Sequence, residues 1–173
     1  MKKKILAAAA AILASLVPGS LFSAEKIKVL IADGPQGAHQ YQETTPVLKQ
    51  LFAKLPQFKV DHTRSSKESC ADGSYKPDFS KYDVVVMNEG YGAPDWPEGT
   101  QRAFEKYIGN GGGMVSIHAA NNCWPNWKEY NKMTAIGGWG GRNEKSGPYL
   151  YINDKGEVVR DTSKGKGGAH GPQ

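Results

Sequence analysis

Apolar and polar positions along this chain alternate between two periods. Lys26-Ile27-Lys28-Val29-Leu30-Ile31-Ala32 is a run of β-formers ending at Asp33-Gly34, which predicts a strand and a turn. From Thr44 to Leu55 the apolar residues Val47, Leu48, Leu51, Phe52 and Leu55 recur at helical spacing. Pro46 falls in the tolerated first turn of that predicted helix, and Pro56 stops it. Phe58-Lys59-Val60-Asp61-His62 alternates and predicts a second strand, and Ser65 to Lys76 reads as a polar loop. Tyr82-Asp83-Val84-Val85-Val86-Met87 is apolar enough for a strand buried on both faces. Gly99 to Gly111 predicts a helix with Phe104, Tyr107 and Ile108 on one face, ended by Gly111-Gly112-Gly113. Met114-Val115-Ser116-Ile117 predicts a fourth strand that delivers His118 at its end.

Strands that alternate with helices argue for a parallel sheet with right-handed crossovers, a doubly wound α/β fold of flavodoxin-like type. After His118 the rhythm fails. Asn121 to Tyr130 is aromatic and polar, and Gly137-Gly138-Trp139-Gly140-Gly141 is a glycine-rich loop. Tyr149 to Ile152 and Glu157 to Val159, around Asn153-Asp154-Lys155-Gly156, predict a hairpin. Four parallel strands and a hairpin make a thin sheet. The expectation is therefore a domain truncated at its C-terminus. The alternative is a short domain with a mobile tail.

The first 24 residues follow another pattern. Lys2, Lys3 and Lys4 precede an apolar stretch from Ile5 to Val17, then Pro18-Gly19 and the small residues before Glu25. This predicts a secretory signal peptide cleaved near Ala24, leaving residues 25–173 as one domain in the periplasm or outside the cell. The apolar run is too short to span a bilayer, where about 20 residues are needed, so no stable membrane insertion is expected after cleavage. The chain has 22 basic and 17 acidic residues, but residues 1–24 hold three lysines and no acid, which leaves 19 against 17 and a net charge of +2. That balance argues against a nucleic-acid partner. Cys70 and Cys123 could pair in an oxidising compartment or stand as free thiols. A homo-oligomer is left open.

In open α/β sheets, ligands bind beyond the carboxyl ends of the strands. Those ends deliver Asp33 with His39, then His62 and Arg64, then Asn88, Glu89 and Tyr91, then His118 and Asn121. Such a polar rim suits a polar ligand. Each residue also has a plainer role open to it, Asp33 in a turn, Glu89 in solvent, His118 in the core. No phosphate-cradling or dinucleotide-binding glycine motif follows the first strand, and no G-x-S-x-G elbow occurs, so no nucleotide cofactor is expected. No closely spaced metal cluster appears either, although His39, His118, His170 and Glu89 could meet in space as a zinc site.

Three segments carry a resemblance. Tyr82 to Asn88, Gln101 to Ile108, and Gly111-Gly112-Gly113-Met114-Val115-Ser116-Ile117-His118-Ala119-Ala120 resemble the ThuA-like (trehalose utilisation) family, with a looser fit over residues 26–173. The resemblance implies a class I glutamine-amidotransferase-like fold and a role in sugar metabolism, with 3-keto-disaccharides as the substrate class. Amidotransferases of this fold place a nucleophilic cysteine where His118 stands, so glutaminase activity is not expected. The implied site has His118 as general acid/base, with Glu89 or His39 as partner. Asp33, Asn88, Tyr91, Asn121 and His170 would hold the substrate, and Trp124, Trp127 and Trp139 could stack on sugar faces or cover the sheet. The alternatives are a carbohydrate-binding module without catalysis and a metal-dependent hydrolase.

Overall fold

A computed structural model describes residues 25–37, 39–134 and 149–161. The predicted signal segment, the glycine-rich loop with Trp139, and His170 lie outside these residues. Four strands, β1 (Ile27–Asp33), β2 (Phe58–Arg64), β3 (Val84–Asn88) and β4 (Gly113–Ser116), form one sheet in the order β2-β1-β3-β4. Every pairing in it is parallel, with Ile31 opposite both His62 and Val86, and Val86 opposite Val115. This order starts at β1, steps outward to β2, then reverses past β1 to β3. The reversal between β1 and β3 is the switch point at which doubly wound sheets open a crevice. The last two strands, β5 (Tyr149–Ile152) and β6 (Val158–Asp161), pair antiparallel as a separate hairpin. Gly156, with φ 78°, supplies its turn.

Alternation along the strands sorts the core into two faces. Leu30, Ala32, Val85 and Met87 point to one side. There they meet Phe79, Trp96, Phe104, Tyr107, Trp124, Trp127 and Tyr130, an aromatic layer carried by helix α3 (Glu98–Gly109), helix α4 (Lys128–Thr134) and the segments that precede each. Ring centroids in that layer lie 4.8–6.1 Å apart, the range in which aromatic pairs attract beyond their area. Val29, Ile31 and Val86 point to the other side, covered by Leu48 and Phe52 of helix α1 (Tyr41–Ala53). This second face is thinner, and Thr45 is the one fully buried residue of α1.

The elements follow the sequence pattern with three departures. Helix α1 begins three residues before the predicted Thr44, so Pro46 sits inside it rather than in its first turn. The ladder bond that Pro46 cannot donate is lost near the solvated start of the helix. The predicted loop after β2 contains helix α2 (Lys67–Ala71). Ser66 and Ser69 close it reciprocally, Ser69 N–H donating to Ser66 Oγ and Ser66 N–H to Ser69 Oγ, both at 3.0 Å. After β4 the chain forms a 3₁₀ turn (His118–Asn122) and then α4, where no helix was predicted. At the end of α3, Gly111 adopts φ 93° as expected of a glycine closing a helix. Cys70 and Cys123 are separate free thiols, both buried against the aromatic layer. Among the described residues no helix is long and apolar enough to cross a membrane.

The two faces predict different costs of truncation. Phe104→Ala, emptying a fully buried site in the aromatic layer, should destabilise the domain by about 3–5 kcal/mol in urea unfolding. Val47→Ala on the open side of α1 should stay within about 0.5 kcal/mol. Equal losses would show that the α1 face is packed as tightly as the other.

Candidate functional site

At the switch point the strand ends build a polar network beneath the rim. Asp33, the last residue of β1, is fully buried. Its carboxylate accepts hydrogen bonds from Thr45 Oγ1 at 2.7 Å, Arg64 Nε at 2.8 Å and a second Arg64 nitrogen at 2.9 Å. His62 Nε2 stands 3.0 Å from Asp33 Oδ2. Burial alone would raise the Asp33 pKa, but the Arg64, Thr45 and His62 contacts together outweigh it and hold the carboxyl below its usual range. Asn88, ending β3, donates to Thr44 Oγ1 at 3.0 Å and to Thr45 Oγ1 at 2.9 Å. Thr45 therefore donates a hydrogen bond to Asp33 while accepting one from Asn88. The N-terminal end of α1 is pinned to the ends of β1, β2 and β3 by this chain.

Above the network lies a cavity of about 470 Å³ between the start of α1 and the end of β4. Gln36, His39, Glu43, Thr44, Asn88 and His118 give it a polar rim, and Val47, Leu48, Ile117 and Ala119 give it an apolar wall. His39 and His118 meet edge to face with ring centroids 4.5 Å apart. His118 has φ 45°, in the left-handed region that few residues other than glycine adopt. Ile117 extends the β4 ladder by donating to Met87 O at 3.0 Å, and Ala120 N–H then closes back on Ile117 O at 2.9 Å. Strand, left-handed residue and helical turn follow one another. This is the geometry of a nucleophile elbow, which pushes one side chain out above the sheet. The imidazole of His118 occupies that prow and is exposed.

The structure thus brings together His39, His118 and Asn88 of the residues expected to form a site. It separates others. Glu89 follows Asn88 but turns to the opposite, aromatic face, where it is 1% exposed and Trp96 Nε1 donates to its Oε1 at 3.1 Å. A residue next along a strand end points to the other side, so Glu89 cannot share a cavity with Asn88. Asp33 lies under the rim with its oxygens taken, which makes it a positioning residue rather than a substrate contact. Trp124 is buried and donates its indole N–H to Pro94 O at 2.8 Å, and Trp127 donates to Glu105 Oε1 at 2.7 Å. Both belong to the aromatic layer and present no face for stacking. Tyr91 is exposed outside the cavity lining, its carbonyl accepting from Gly37 N–H at 2.7 Å. Asn121 is half-buried in the 3₁₀ turn and is not in the lining either. Trp139 and His170 fall outside the described residues.

Sequence reasoning missed Gln36, Glu43, Thr44 and the apolar wall. Glu43 and Thr44 carried a usable signal, since the start of a helix after β1 always faces the strand ends. Gln36 had none. Its amide donates to Asn88 O at 3.3 Å and its Oε1 fills the space that a side chain at Gly90 would need. Among the described residues no three His, Cys, Asp or Glu side chains gather as a metal cluster.

A family model for trehalose utilisation (ThuA) matches residues 28–163. A ThuA-like protein from Parabacteroides merdae, known from its crystal structure, is 44% identical with a TM-score of 0.74, over 85% of this chain and 51% of that one. The chain therefore spans about half the length of that relative. A ThuA-like protein from Bacteroides uniformis is 25% identical with a TM-score of 0.46, over 66% of this chain and 46% of that one. No curated protein matches the chain.

Glu89 gives the fold a pH dependence of its own. Burial pushes its carboxyl up to about 8, against the pull of Trp96 and Ser65. The folded state thus keeps a proton that the unfolded chain gives up near 4.5. Between those values the native state binds more protons than the unfolded one, so stability falls as pH rises, by up to about 1.4 kcal/mol per unit. Above about 8 the slope from this group ends. Urea unfolding at pH 5, 6, 7 and 8 should show this decline in the wild type, and Glu89→Gln should flatten it. An unchanged slope in the variant would assign the effect elsewhere.

Proposed function

The chain belongs to the ThuA family, whose description is trehalose utilisation, and from that premise we propose that it acts on a sugar at the His39–His118 cavity. The observation that carries this reading is the exposed His118 imidazole, held on an elbow and braced edge-on by His39. Imidazole is the side chain that most readily exchanges a proton near neutral pH. It suits a general acid/base acting on a sugar hydroxyl or on a proton made acidic by a neighbouring keto group. A 3-keto-disaccharide offers both. Of the two partners first considered for His118, Glu89 faces the other side of the sheet and His39 is the one at the cavity, where Glu43 and Thr44 supply a carboxylate and a hydroxyl to meet sugar oxygens. Asn88 and Gln36 hold that edge of the cavity in place. The reaction class is isomerisation, hydrolysis or elimination, each of which needs a proton moved at carbon or oxygen.

Glutaminase chemistry is not part of this proposal. His118 cannot serve as the thiolate nucleophile, and Cys123 is buried with its thiol pushed well above the usual range by burial. Zinc remains a second reading. His39 and His118 supply two imidazole donors, and a further ligand such as His170 would have to come from outside the described residues. Elemental analysis of the purified protein tests this. We also propose that residues 1–24 direct export to the periplasm or beyond, a reading that an N-terminus beginning at Glu25 in secreted material would support and an intact Met1 would remove.

His118→Ala should lower turnover of a 3-keto-disaccharide by about 10²–10⁴-fold while leaving the unfolding midpoint within a few degrees. Unchanged turnover overturns the acid/base role. Sugar binding without turnover in the wild type would make the protein a binding module.

A further inference from the structure

The hydrogen-bond chain beneath the cavity has a direction. Arg64 grips both carboxylate oxygens of Asp33, at 2.8 and 2.9 Å, so Asp33 stands as an ionised group that can only accept. Thr45 Oγ1, 2.7 Å from Asp33 Oδ2, must therefore give its single hydrogen to that oxygen. What remains on Thr45 Oγ1 is lone pairs, and these call for a donor. Asn88 supplies it with Nδ2, at 2.9 Å. The second Nδ2 hydrogen goes to Thr44 Oγ1 at 3.0 Å. Both hydrogens of the carboxamide are then engaged. The amide cannot turn over without setting its oxygen against the lone pairs of Thr45. A charge on β1 thus fixes, through one hydroxyl, which way the last side chain of β3 faces.

Asn88 lines the cavity together with Gln36, Thr44 and His118. Its Oδ1 is on the other arm of the carboxamide from the threonines, and among the described residues it accepts no hydrogen bond. An acceptor so placed selects its ligand. A hydroxyl can donate to it, whereas a carbonyl or ether oxygen brings only lone pairs and is repelled. Resting on the sugar reading above, we propose that Asn88 Oδ1 is a directed acceptor that takes a hydroxyl hydrogen of the bound sugar and refuses a keto oxygen at that place. Thr45 is buried beneath the lining and acts on a ligand only through Asn88, as its positioning residue. A keto oxygen belongs instead with the donors of the cavity. Gln36 Nε2 keeps one hydrogen beyond the one it gives to Asn88 O at 3.3 Å, and the imidazoles of His39 and His118 can donate as well.

The test is calorimetric titration of the full chain with methyl glucoside and its four monodeoxyfluoro derivatives. In each derivative one hydroxyl gives way to a fluorine of similar size that cannot donate. One of them should bind about tenfold or more weakly than methyl glucoside, the loss expected when an acceptor is left without its donor. In Thr45→Val only the hydroxyl of Thr44 remains, which both donates and accepts, so the amide can turn and that ratio should fall severalfold. In Thr45→Ser, which keeps the hydroxyl, the ratio should persist. Asn88→Ala, which removes the oxygen, should abolish it, and gives the same reading if Thr45→Val does not fold. A general loosening of the site would weaken every ligand alike and leave the ratio in place in both variants, which overturns the directed acceptor. Equal affinities across the wild-type series would overturn it too, and both results leave the sugar site standing. Failure of methyl glucoside to bind at all would overturn the sugar reading, and with it the hydroxyl assigned to Asn88.

Discussion

A carboxylate taken wholly out of water costs several kcal/mol unless its oxygens are met by donors that came prepaid with the fold. Asp33 is such a carboxylate, and the way its charge is met organises the molecule around it. Arg64 grips both oxygens from the end of β2, Thr45 reaches one from α1, and His62 stands against the same oxygen. Asn88 from β3 then locks onto Thr44 and Thr45. Three strand ends and one helix are joined through a single charge. The position of α1 follows, and with it the positions of Glu43, Thr44 and the cavity wall. A helix with one fully buried side chain owes its place less to area than to this network.

The sheet divides its labour between faces. One is sealed by an aromatic layer in which Trp96, Phe104, Trp124, Trp127 and Tyr130 pack ring against ring. It also absorbs Glu89 as a neutral acid. On the other, among the described residues, a cavity lies between the start of α1 and the end of β4, and there the chain places an exposed histidine on a left-handed residue. Strain of that kind persists only where the surroundings are stiff. The rigid face supplies the stiffness, since Tyr130 Oη donates to Ala120 O at 2.7 Å and so holds the 3₁₀ turn just beyond His118.

Much of this was legible from the pattern of residues. The run of β-formers in β1, the alternation in β2, the apolar run of β3 and the spacing in α3 gave their elements because each is decided by local burial. His118 was legible because it is the residue that the fourth strand hands to the rim. The start of α1 was not, since Pro46 argues for a first turn, whereas the N–H groups of Glu43 and Thr44 close on Gln40 O at 3.0 Å and begin the helix upstream. Helix α2 was hidden because serines favour loops as readily as caps. Glu89 was assigned to the site by its rim position, and sequence position at the end of a strand does not say which face a side chain will choose; Trp124 was offered for stacking by its aromatic character, and it is the alternative, cover for the sheet, that it fills. Glu43 and the apolar wall appear only once α1 is folded against β4, a contact between residues some seventy positions apart in a chain of 173.

The two cysteines carry a separate consequence. Cys123 has no exposed surface and Cys70 almost none, and burial pushes the Cys70 thiol up to about 11. Neither offers a thiolate to oxidants or alkylating reagents while the aromatic face stays closed. Folding of the described region thus draws nothing from a disulfide, whichever compartment the protein occupies. The same burial turns the pair into built-in reporters. Their rate of labelling measures how often the aromatic layer parts from the sheet, giving a clock for the opening of the closed face that runs independently of anything bound at the other.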